Sequence, residues 1–239
     1  RRFYAGELDR YLKCPRDYFY THVLGLEAAG EKPIYLKFHS CIYDTLRSLQ
    51  SIKQLGGAEF TETAALARLD DFWQAAGIDQ HPYAPIYRRR AEEIVRRLFR
   101  RIQNSGAGIV GPSYEVKLSN ASVSVRLDAV EIVDAGGEKQ AVIRKYKTGK
   151  SPKKIDAENA DVLMTVAAAE NFPDAKPVLQ KIYLSDDEIR EVSVTDKVIK
   201  KRLEKYEKAV EGIRRKKFDP SPSDNNCPHC PHFFICPSG

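Results

Sequence analysis

The feature that most constrains this 239-residue chain lies at its C-terminal end, where Cys227-Pro228-His229-Cys230 and Cys236 form a C-x2-C-x5-C run. That spacing lets thiolates from a tight turn converge on one metal. Three ligands leave a tetrahedral site incomplete. His229 and His232 stand among the cysteines as candidate fourth ligands, which makes zinc one solution. Disulfides are another, but an intracellular chain keeps its thiols reduced. Cys41 has a different setting, beside Phe38 and Ile42 on the apolar side of an expected helix, and reads as a small core residue.

A chain that is 42% hydrophobic at this length has enough apolar material for a sizeable core. No apolar run approaches the roughly 20 residues of a membrane span, and no charged-then-apolar leader opens the chain. The expectation is a cytoplasmic protein without membrane contact. A start at Arg1-Arg2-Phe3, without methionine, suggests a domain cut from a longer polypeptide. The net charge of +6 favours an anionic partner, because a clustered positive field attracts polyphosphate. Much of that charge lies on two helical patterns. In one, Ala91, Ile94, Val95, Leu98, Phe99 and Ile102 recur at helical spacing with arginines between Arg88 and Arg101 on the other side. In the other, Asp196 to Phe218, Ile199, Leu203, Tyr206, Val210 and Ile213 mark the apolar face and Arg214-Arg215-Lys216-Lys217 the basic end. Both faces read equally as solvated surface or as a phosphate-tracking one.

The hydrophobic period changes along the chain. Glu7 to Lys13 reads as a helix that stops at Cys14-Pro15, since a residue before proline is pushed out of the α region. Helical spacing follows over 36–53, 61–76 and 87–104. Then Tyr114 to Leu118, Ser122 to Val133 and Gln140 to Tyr146 alternate as strands, with a turn at Ala135-Gly136-Gly137. A helix around Ala157 to Asn171 and a strand around Val178 to Leu184 complete a β-β-β-α-β core. The expected organisation is one domain: a helical part over 1–110, a sheet core over 111–195, and a basic helix with the cysteine tail over 196–239.

The opening Leu8-Asp9-Arg10-Tyr11-Leu12-Lys13-Cys14-Pro15-Arg16-Asp17-Tyr18-Phe19-Tyr20, followed by Leu24-Gly25-Leu26, resembles the start of the RecB/AddB-type PD-(D/E)XK nuclease domains. In that family a cysteine of a Cys-Pro pair joins three C-terminal cysteines around an iron-sulfur cluster. The resemblance implies a restriction-endonuclease-like α/β core, a central mixed β-sheet flanked by helices. It also implies a [4Fe-4S] cluster on Cys14, Cys227, Cys230 and Cys236 that staples the chain ends, with zinc as the alternative.

The resemblance extends to the nuclease motifs. Leu127-Asp128-Ala129-Val130 falls where the family has its strand carboxylate, and Tyr146-Lys147-Thr148-Gly149-Lys150 matches the end of its second motif. Carboxylates on adjacent strands hold Mg²⁺ ions that activate water for phosphodiester hydrolysis. Here the acidic position two residues before Lys147 is Lys145. The G-x-x-x-H helix motif aligns with His39 and Tyr43, and the Q-x-x-x-Y motif with Asp161 and Thr165, neither keeping its defining residues. The expectation is a remnant site, Asp128 and Lys147, that has lost metal-dependent cleavage; Mg²⁺ enters only if the site is active. Rescue would need His39, Glu115 or Asp161 to face Asp128. If Asp128 is only structural, Lys145 or Lys147 is its expected partner.

The leading expectation is a DNA-binding module, with Arg144, Lys145, Lys147 and Lys150 facing single-stranded or forked DNA beside a helicase in repair or recombination. The alternatives are an active Mg²⁺-dependent nuclease with migrated ligands and a scaffold that contacts other subunits.

Overall fold

The computed structural model describes residues 2–26, 32–56, 60–106 and 108–238. A short strand β1 (Arg2–Tyr4) runs into helix α1 (Ala5–Lys13), where the N–H of Tyr4 donates to Glu7 Oε2 at 3.4 Å. The helix stops at Cys14, which is extended (φ −158°), and Pro15 starts a one-turn helix α2 (Pro15–Tyr18) that continues as a π-helical turn, Phe19–Val23.

Three longer helices follow: α3 (Ile34–Gln54), α4 (Glu62–Ala76) and α5 (Ala84–Asn104). Thr61 caps α4 through its hydroxyl, which accepts from the Ala64 N–H at 3.1 Å, and Gly77 ends it in the left-handed region at φ 62°. The apolar stripe expected on α5 is buried with Leu46, Leu69 and Trp73 of its neighbours.

The strands are β2 (Ile109–Val110), β3 (Ser113–Lys117), β4 (Ser122–Arg126), β5 (Ala129–Ala135), β6 (Glu138–Lys147), β7 (Lys176–Tyr183) and β8 (Glu188–Val192), with α6 (Asn159–Asn171) crossing from β6 to β7 and α7 (Asp196–Arg214) closing the core. They form a three-stranded sheet, β1-β4-β3, and a five-stranded mixed sheet, β2-β5-β6-β7-β8. In the second, β6 and β7 are parallel and the other neighbours antiparallel.

The sequence pattern presents Ser122 to Val133 as one strand, but it breaks at Leu127-Asp128. The Leu127 N–H bonds the Pro112 carbonyl at 3.0 Å and the Asp128 carbonyl accepts the Gly111 N–H at 3.0 Å, so a single hairpin bends from one sheet into the other. Gly111 sits at φ 58°, a conformation glycine adopts without a Cβ penalty.

Alternation along β6 sends side chains to two different layers. Ala141 and Ile143 join a core with Leu163, Ala167, Tyr206 and Val210 of α6 and α7. Tyr146 joins the other core, with Ile182, Leu184 and helices α3 to α5. The sheet is thus covered on both faces, which matches the expected α/β class. β1 was not anticipated; it pairs parallel with β4 and draws the N-terminus into the sheet region.

The two chain ends meet. Tyr11 donates its hydroxyl to the Lys217 carbonyl at 2.7 Å, and Tyr20 donates to the Ile235 carbonyl at 2.9 Å. Among the described residues no helix is long and apolar enough to cross a membrane.

Candidate functional site

The bend that ends β4 places Asp128 beside the last residues of β6. Its Oδ2 accepts the Tyr146 N–H at 2.9 Å. Burial raises the Asp128 pKa above the usual carboxylate range, against the opposing Tyr146 N–H and the charges of Lys145, Arg47 and Arg126. From the facing α3, Tyr43 donates to the Tyr146 carbonyl at 3.0 Å. Tyr43 and Asp128 line one cavity of about 100 Å³, so the helix position and strand carboxylate named by the motif alignment do stand together. Burial and then the Asp128 charge raise the Tyr43 pKa, which keeps the phenol protonated. His39 lies one helical turn earlier; burial lowers its pKa, and its Nδ1 has no hydrogen-bond partner.

Lys145 points to the other layer. Its ammonium sits 2.7 Å from Asp161 Oδ1 and 2.9 Å from Glu158 Oε2. Lys181, on the parallel neighbour β7, pairs with Asp161 at 2.7 Å and Glu158 at 3.1 Å. Lys147 completes the cluster, 3.2 Å from Glu158. Register explains the arrangement, because Lys145 and Lys181 are direct partners across β6 and β7, and α6 begins above them.

Asp161 is fully buried and also accepts the Glu158 N–H at 2.8 Å, so one carboxylate anchors two ammonium groups and the helix start. Burial works against the Lys145 charge, yet Asp161 and Glu158 outweigh it and hold the pKa above normal. Burial also opposes ionisation of Glu158, but the bonds and charges of Lys145, Lys147 and Lys181 bring it down to about 2. Lys147 is lowered, first by burial and then by Lys145.

The carboxylates considered as replacements for a lost ligand are engaged elsewhere. Asp161 is bound to the lysines, and Glu115 pairs with Arg2 at 3.0 Å. The partner of Asp128 is the Tyr146 amide rather than an expected lysine. Arg144, grouped with Lys145, Lys147 and Lys150 in the sequence, faces the opposite side of the sheet and pairs with Glu131. Lys150 is exposed beyond the strand end. Lys181, a member of the cluster that sequence reasoning missed, carries its signal in an apolar strand run, Val178-Leu179-Gln180-Lys181-Ile182, where a charge needs a buried partner.

At the chain ends, Cys14, Cys227, Cys230 and Cys236 line one cavity of about 220 Å³. None of the four is in a disulfide. Backbone N–H groups point at two of the sulfurs, Ser221 to Cys14 at 3.5 Å and Ser223 to Cys227 at 3.2 Å. Burial is the main cause that raises the Cys230 pKa; nearby Asp17, Cys14 and Cys236 add to it, while the His232 backbone opposes. His232 is buried, and its Nε2 lies 3.1 Å from the Thr21 hydroxyl and 3.7 Å from Asp17, which ties the tail to the N-terminal helices. Cys41 is buried in the helical core, where burial pushes its thiol up to about 11. Among the described residues no three His, Cys, Asp or Glu side chains close on a single metal ion.

A family model for the PD-(D/E)XK nuclease superfamily matches residues 3–237. The chain belongs to this superfamily. Its match spans both chain ends, the Asp128 bend and the lysine cluster. A search of curated proteins gave no match. The crystal structure of SSO0001 aligns with 98% of this chain and 93% of its own at 14% identity and a TM-score of 0.37, values too low to add to the assignment.

Proposed function

We propose that this superfamily domain binds single-stranded or forked DNA without cutting it, within a helicase-linked repair or recombination protein. The observation that carries the reading is the lysine cluster. Hydrolysis in this superfamily needs a second carboxylate beside the strand aspartate to hold divalent metal. The aligned position is Lys145, whose side chain turns to the other face of the sheet and is held as an ammonium by Asp161 and Glu158. Lys145 supplies no ligand, its charge reaches Asp128 and opposes Mg²⁺, and Asp128 is left without a partner ligand. The charge exchange between β6 and α6 keeps the fold assembled while removing the metal chemistry.

The cysteine cavity supports a [4Fe-4S] cluster on Cys14, Cys227, Cys230 and Cys236. Its thiolate-only donor set is the one such clusters use, and its volume of about 220 Å³ far exceeds the roughly 10–15 Å³ that one water-sized occupant needs. Zinc through His232 is the weaker fit, because Thr21 and Asp17 already engage its Nε2. When bound, the cluster supplies a structural clamp; the chain's own part is to aim backbone N–H groups at the sulfurs and to bring α1 against the tail.

The test is an assay of protein purified without oxygen on labelled single-stranded and forked DNA, with Mg²⁺ or Mn²⁺, beside Asp128→Ala and Lys147→Ala. Salt-sensitive binding with intact DNA is the expected result. Cleavage that disappears in Asp128→Ala would overturn the reading.

A further inference from the structure

On the sheet face away from the lysine cluster, three cavities share walls. The first, about 100 Å³, lies between Tyr43, Arg47 and Gln50 of α3 and the bend residues Gly111, Arg126 and Asp128. Gln50 also lines the second, about 270 Å³, where Lys53, Glu131 and Arg144 stand. Arg144 and Ser105 continue into the third, about 390 Å³, beside Arg97, Arg100 and Arg101 of α5 and Asp187. Gln50 is the buried wall common to the first two cavities and Ser105 and Arg144 are common to the second and third, so the three lie in a row from Asp128 to the C-terminal end of α5 and together form one groove.

Seven cations line this groove against three carboxylates, Asp128, Glu131 and Asp187. Each carboxylate is already engaged. Asp128 accepts the Tyr146 amide, Glu131 takes Arg144 and the Gly106 N–H, and Asp187 takes Arg101. Arg47 also pairs with Asp44 from its own helix, and the charge that remains along the groove is still positive. Two donors are unspent: Arg144 Nε is buried without a hydrogen-bond partner, and Arg100 is exposed with no carboxylate partner among the described residues. Gly106 and Gly108, just before β2, lie close to β5. A Cβ at Gly106 would fall 2.3 Å from Glu131 Oε1, and one at Gly108 would fall 3.0 Å from the Val130 carbonyl.

We propose that this groove, between α3, α5 and β5, seats the phosphodiester backbone of one DNA strand, with Arg47, Arg126, Arg144 and Arg100 as successive phosphate contacts. The inference rests on the DNA-binding reading above and gives that binding a location. Lys145 and Lys181 are ion-paired and buried on the opposite face, so they are closed to such a strand.

The experiment measures fluorescence anisotropy of a labelled oligothymidine with the full chain, purified without oxygen, over a salt series. Arg100→Glu and Arg47→Glu reverse charge in the groove; Lys201→Glu on the exposed side of α7 makes the same change away from it. Circular dichroism checks that each variant is folded. Each groove variant should weaken binding roughly tenfold at low salt and flatten the log–log salt slope by about 0.7 per lost contact, with Lys201→Glu within about twofold of the parent. If the parent binds and both groove variants bind equally well, the groove assignment falls while the DNA-binding reading stands. If the parent shows no salt-dependent binding, both fall.

Discussion

Asp161 is the residue on which the central cluster depends, because it is fully buried and faces two ammonium groups. Asp161→Asn should cost about 3–5 kcal/mol in urea denaturation at pH 7, since it leaves buried charge uncompensated. Lys145→Met should cost clearly less, because Lys181 still neutralises Asp161. Glu158 sets the acid limb. Its folded pKa of about 2 lies below its ordinary value of 4.5, so the stability it contributes is fully present above 4.5 and is lost as pH falls towards 2. Glu158→Gln should flatten the stability curve in that window, read from melting temperatures between pH 5 and pH 2. Both partners of this exchange were visible in the sequence as departures from the motifs, an acid replaced at Lys145 and a glutamine replaced at Asp161. Their pairing was not, because it is made between a strand and the start of a helix whose docking no local spacing fixes.

At the scale of elements, α7 meets α1 through a glycine. A Cβ at Gly212 would fall 2.2 Å from the Tyr11 hydroxyl oxygen and 2.9 Å from Cζ, while that hydroxyl donates to the Lys217 carbonyl. Gly212→Ala should therefore destabilise by about 1–3 kcal/mol through overpacking. In a Tyr11→Phe background the same change should cost less, a coupling measured by a double-mutant cycle. The long helices were legible from their period, as the buried stripe of α5 illustrates. The employment of its arginines was not: Arg88 binds Asp70 and Glu92, Arg97 reaches the Ser185 carbonyl at 2.9 Å, and Arg101 takes Asp187. A helical face declares its charge in the sequence but not the turn it grips. Short strands escaped for a related reason. β1 and β2 have three and two residues, too few to establish alternation, and they exist because β4 and β5 offer edges to them.

For the whole molecule, closure of the chain ends was implied by the family resemblance of the Cys14-Pro15 opening and the C-terminal cysteines, whereas the tyrosine and histidine contacts that support it are tertiary. With the proposed cluster joining ligands more than 200 residues apart in the 239-residue chain, its loss frees a very long loop. Cys14→Ala should remove bound iron and lower the melting temperature by roughly 10 °C, taking about 2–4 °C per kcal/mol at this size. Cys41→Ala should keep the iron, checked by metal analysis, because that thiol lies in the helical core. On the proposed reading, ion pairs have replaced divalent metal in this nuclease fold. Electron paramagnetic resonance of Mn²⁺ titrated into the protein at pH 7 reads that replacement. The free Mn²⁺ signal should rise from the first addition, equally in the parent and in Asp128→Asn. A stoichiometric loss of that signal in the parent, restored by Asp128→Asn, would contradict it.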